Sequence, residues 1–108
     1  MTAGSPEERL AELGLTLPEV TRPLAAYVPA VRTGNYVYVS GQLPMVDGQL
    51  QATGKVGAQV DVDRAKALAR ICALNALAAA ASVAGGLSGI TRIVKVTGFV
   101  AKIGRAHV

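Results

Sequence analysis

Ser40, Asn75, Cys72 and His107 are the side chains whose types invite a chemical reading. A serine hydroxyl and a backbone N–H at a strand end can donate to a small ligand; Ser40 is also an ordinary strand-end residue, and both readings stand. Asn75 lies within a helical pattern, where bonding a neighbouring loop backbone outweighs ligand contact. A nucleophilic thiol needs a polarising partner. None is visible for Cys72, which reads as an inert small hydrophobe on an apolar face. Gly85-Gly86-Leu87-Ser88-Gly89 is glycine-rich like a phosphate loop, but it follows a helix and lacks a Lys-Ser/Thr pair, so no nucleotide site is expected. No Cys/His cluster has ligand spacing, so no metal is expected.

The chain has 108 residues, 51% of them hydrophobic and 17% charged, enough for one small folded domain. Its net charge of +4 comes from dispersed Lys and Arg, with no basic run and no basic–aromatic alternation. Solvated surface charge is therefore expected, and no nucleic-acid partner. No uninterrupted apolar run reaches the roughly 20 residues of a membrane span, so no membrane association is expected. Met1 to Glu12 carries Glu7, Glu8 and Glu12 and does not read as a signal peptide. A lone cysteine fits a reducing cytoplasm.

The elements follow from local signals. Ser5 caps a short helix over residues 5–14, Pro6 suits its first position and Gly14 ends it. Leu15 to Pro29 is a proline-broken connector. Ala30–Arg32 and Tyr36–Ser40 form a hairpin about Gly34-Asn35, with Val37 and Val39 on one face and Tyr36, Tyr38 and Ser40 on the other. Asp47-Gly48 marks a second, shorter hairpin within 45–50. Asp61 or Asp63 starts a long helix that runs to Ala84 and stops at Gly85-Gly86. Its face of Leu68, Ile71, Cys72, Asn75, Ala78 and Ala79 is expected to lie on a sheet. Thr91 to Ala101 alternates as a final strand, with Gly98 as a weak point. The order β-β-α-β, with one helix on one sheet face, is an α+β layer. It leaves apolar sheet for another subunit to cover.

Four motifs in order resemble the RidA/YjgF family of reactive-intermediate deaminases. They are Val39-Ser40-Gly41-Gln42-Leu43-Pro44, Asn75-Ala76-Leu77, Ala84-Gly85 and Val94-Lys95-Val96-Thr97-Gly98-Phe99-Val100. The resemblance covers residues 26–101. It implies a chorismate-mutase-like α+β fold and a homotrimer with ligand clefts between subunits. It also implies hydrolysis of a small amino-acid-derived imine or enamine to a keto acid and ammonia, with no cofactor. A trimer that holds small carboxylates without turnover is the alternative.

By the same resemblance, Tyr27, Ser40, Gly41, Thr97 and Phe99 are the substrate-binding candidates; no catalytic residue is assigned. Tyr27 matches the tyrosine of a P-Y-S-Q-A segment whose Ser and Gln are Val28 and Pro29 here. As a residue of a proline-rich connector it reads first as a packing side chain. The carboxylate-binding arginine of the family is expected in a segment beyond residue 101, together with a final helix and strands. Arg105 lacks that context. Ile103 to Val108 matches one reading frame of a common sequencing adapter. The expected organisation is therefore an N-terminal helix and connector (1–25), a partial domain (26–101) and a non-native tail (102–108), and His107 is given no role.

Overall fold

The computed structural model describes residues 4–20 and 28–103. Helix α1 spans Pro6–Glu12. The Ser5 hydroxyl accepts the Glu8 N–H at 3.1 Å, which satisfies one of the helix's orphan donors. Gly14, at φ +70°, takes the left-handed conformation that lets the chain leave the helix.

Strands β1 (Ala30–Thr33) and β2 (Tyr36–Val39) pair antiparallel, from Ala30 opposite Val39 to Thr33 opposite Tyr36. Their turn uses a positive φ at Gly34 (+59°) and not at Asn35, the pattern of a type II′ hairpin. Strands β3 (Met45–Val46) and β4 (Gln49–Leu50) form a second hairpin. There Asp47 and Gly48 both have positive φ, at 51° and 78°, as a type I′ turn requires.

Helix α2 spans Val62–Ala84. Asp61 caps it, accepting the Arg64 N–H at 2.7 Å, and Gly85 closes it in the left-handed region at φ 79°. Its inner face carries Leu68, Ile71, Cys72 and Asn75, half-buried, then Ala78 and Ala79, buried. This face packs on β1, β2 and β3, as its periodicity implies. Small residues let the helix sit close to the hairpins: Ala79 is 2% exposed and Ala30 8%. Leu87, in a 3₁₀ turn over Leu87–Gly89, extends this core beyond the helix end. The architecture is α+β, with one helix covering the hairpin layer.

One expectation is corrected. Thr91 to Ala101 is extended but has no ladder partner among the described residues. Val96 is 81% and Phe99 95% exposed. The segment is held at its end, where Val56 donates to the Ala101 carbonyl at 2.9 Å and Ile103 donates to that of Val56 at 3.1 Å. Alternation makes these residues strand-prone, but a strand exists only when a neighbour supplies the ladder. Helix α2 is 23 residues long and holds an 18-residue stretch of mean hydropathy 1.7, long and apolar enough to cross a membrane by length and composition alone. Counting uninterrupted runs misses this because its charges, Asp63, Arg64, Lys66 and Arg70, gather in the N-terminal half. A helix packed against hairpins passes the same test.

Candidate functional site

The end of β2 is tied down by its own polar groups. Ser40 donates its backbone N–H to the Pro29 carbonyl at 2.9 Å and its hydroxyl to the Val28 carbonyl at 2.6 Å. Gln42 folds back and donates to the Ser40 carbonyl at 2.9 Å. The following loop is anchored from the helix: Asn75 Nδ2 donates to the carbonyls of Leu43 at 3.2 Å and Met45 at 3.0 Å. Asn75 thus acts as a loop clamp, the role its place in the helix suggests.

These bonds shape a cavity of about 100 Å³. Gly41, Gln42 and Leu43 form one wall, Asn75 and Ala79 of α2 another, and Glu19, Val20 and Pro29 close it from the connector. Gly41 brings a bare backbone to the wall, and Gln42 and Asn75 bring amides. Glu19 contributes the one carboxylate in the lining. The lining is fit to hold a small polar molecule by hydrogen bonds. No arginine lines it among the described residues, so a bound carboxylate has no guanidinium to pair with from these walls.

Of the candidates, Gly41 lines the cavity and Ser40 adjoins it, its hydroxyl proton committed to Val28. Serine lone pairs are left to accept. Tyr27 lies outside the described residues. Thr97 and Phe99 are exposed on the unpaired segment and stand apart from this lining. Glu19 and Gln42 are the lining residues that the sequence does not single out. Gln42 was at hand, one position past Gly41; nothing local marks Glu19.

The other reactive groups stay outside the cavity. Burial pushes the Cys72 thiol up, so it stays protonated and gains no nucleophilic activation. Among the described residues, no group of three or more His, Cys, Asp or Glu side chains could hold a metal ion.

Residues 7–106 match the family described as "YjgF/chorismate_mutase-like, putative endoribonuclease". "Protein TCP17" of Trypanosoma cruzi is 36% identical over 100 residues, which cover 93% of this chain and 62% of that protein. The crystal structure of a "putative endoribonuclease" from Shewanella oneidensis MR-1 superposes with a TM-score of 0.72 at 39% identity, over 79% of this chain and 56% of that one. The structure of protein Atu1372 from Agrobacterium tumefaciens, "with unknown function", gives 0.63 at 49% identity, over 74% and 48%. The chain therefore spans about half to three-fifths of the length of these relatives. Its fold is chorismate-mutase-like, and the chain belongs to the YjgF/chorismate-mutase-like family.

Proposed function

We propose that the protein to which this chain contributes hydrolyses small amino-acid-derived enamines or imines. An enamine first takes a proton at its β-carbon and loses one from nitrogen to become the imine; water then adds across the C=N bond, the carbinolamine expels ammonia, and a keto acid remains. The observation that supports this most is the cavity at the β2 end, with the Gly41 backbone and the amides of Gln42 and Asn75 around it. Such groups orient a small imine and the attacking water without a cofactor. Glu19 is the group in the lining suited to proton transfer.

The proposal includes a homotrimer with the cleft completed between copies. It draws support from the exposed apolar side chains of the hairpin, Val31, Tyr36 and Tyr38, and of the segment from Ile93 to Val100. The substrate-pairing arginine then comes from outside these walls. Tyr27 and the 97–99 segment join the site by the same assembly. A reducing cytoplasm suits the free Cys72.

A second reading is a trimer that binds small carboxylates without turnover. Pro29 in the cavity wall favours it, because the family's polar pair is Val28-Pro29 here. Ribonuclease action has no comparable support: the lining brings together no acid–base pair for phosphodiester cleavage among the described residues. The test is ammonia and keto-acid release from 2-aminoacrylate generated in situ. Turnover above buffer that falls on Glu19→Gln substitution is the expected result. Saturable keto-acid binding without turnover selects the second reading, and neither overturns both.

A further inference from the structure

A second concavity lies away from the candidate site. It occupies about 330 Å³ between α1, α2 and the 3₁₀ turn, with Leu10, Leu13, Leu77 and Leu87 among its walls. Leu77 points about 160° around α2 from Asn75, given ~100° per helical residue, so the two concavities sit on opposite faces of the helix. Two guanidinium side chains, Arg9 and Arg92, also line the groove. Arg9 makes one long contact to Glu12, at 4.0 Å. Arg92 has no ion pair among the described residues. Glu7, the other acid of the first α1 turn beside Glu8, is held by Ser88 rather than by either arginine.

An apolar trough with cations in its lining has a defined chemical complement. We propose that this groove binds an apolar monocarboxylate, its chain along the leucines and its carboxylate on Arg92. Charge complementarity selects the anion, since a guanidinium offers paired N–H donors to a carboxylate. The volume falls at the lower end of small-ligand pockets, roughly 300–1,000 Å³. An apolar wall of this kind rewards each buried methylene, so affinity rises with chain length until the trough is full.

The test is a methyl-resolved NMR titration, with octanoate, octanol and acetate, of the chain carrying Val96→Lys, a substitution outside the groove lining that opposes self-association. Octanoate is expected to shift the Leu10, Leu77 and Leu87 methyls saturably, with octanol and acetate each at least tenfold weaker. Arg92→Glu is expected to weaken octanoate at least tenfold and leave octanol unchanged, while Arg92→Lys retains most of the binding. Circular dichroism of each variant checks that α2 persists. Octanol as tight as octanoate, or Arg92→Glu without effect, overturns the anion site. Shifts confined to Val20 and Met45, or no saturable shift at all, overturn the groove itself.

Discussion

Glu7 grips Ser88 with both carboxylate oxygens: it accepts the Ser88 hydroxyl at 2.6 Å and the Ser88 backbone N–H at 3.2 Å, across 81 residues of sequence. These bonds tie α1 to the turn that follows α2. They favour the ionised carboxyl and hold Glu7 below its usual range, chiefly through the Ser88 hydroxyl. A carboxylate with a depressed folded value contributes stability above its unfolded value, here 4.5, and loses it as pH falls through the folded one. Glu7→Gln is therefore expected to lower the melting temperature slightly at pH 7. The gap to the parent should shrink on acidification below pH 4.5 and vanish once Glu7 is protonated in both states. Melting curves from pH 7 to pH 3 measure it; a gap that widens toward acid contradicts the clamp.

Asn75 offers a larger effect because it clamps two carbonyls, one of them, that of Met45, through a partly buried bond. Asn75→Ala leaves the Leu43 and Met45 carbonyls short of a donor that water only partly replaces. The expected cost is about 1 kcal/mol, that of a typical hydrogen bond, because only the Met45 carbonyl is partly shielded from water. Asn75→Asp is expected to be worse at neutral pH, since it turns a carboxylate toward two carbonyl oxygens, and to recover at low pH. Urea unfolding at pH 7 and pH 4 gives both numbers, and hydrogen exchange across Leu43 to Met45 reports the loosened cavity wall.

Ala79 sets the distance between α2 and the hairpins. At 2% exposure it is closely surrounded, and the room beside it is the cavity that it lines, about 100 Å³, which a leucine side chain overfills. Ala79→Leu is expected to destabilise the fold by roughly 1–3 kcal/mol, the usual cost of overpacking. It also fills the cavity, so ligand binding there should fall beyond what lost stability explains. Denaturant midpoints measured with and without ligand separate the two effects.

What could be read in advance was local. Asp61 or Asp63 announces the start of α2, which the structure places at Asp61, and Gly85 announces its end, because caps are interactions over one to three residues. Asp47-Gly48 announces its turn because two positive φ angles are needed there. Asn75 is legible as a clamp because an amide on an otherwise apolar helical face needs a backbone partner. Glu19 is not legible: it reaches the cavity through the path of a connector, which no local pattern encodes. Thr91 to Ala101 shows the opposite failure. Its alternation is evident, but strand pairing is a relation between segments, and period two fixes the faces without naming the neighbour.

That unpaired segment yields the last prediction. Val94, Val96, Phe99 and Val100 are 72–95% exposed along a backbone with no ladder partner among the described residues. An exposed apolar edge recruits another strand, from a second copy or from an aggregate. The 108-residue chain is expected to self-associate in a concentration-dependent way, without a clean monomer by sedimentation. A charge directed at the edge opposes this pairing without touching the α2 core. Val96→Lys and Phe99→Lys should each raise the soluble monomer fraction several-fold and leave helix content unchanged. Were the parent a monodisperse monomer, or the lysine variants to aggregate equally, the edge would not be the adhesive surface. Monodisperse trimers lost on either substitution would instead identify the segment as part of the assembly that completes the cleft.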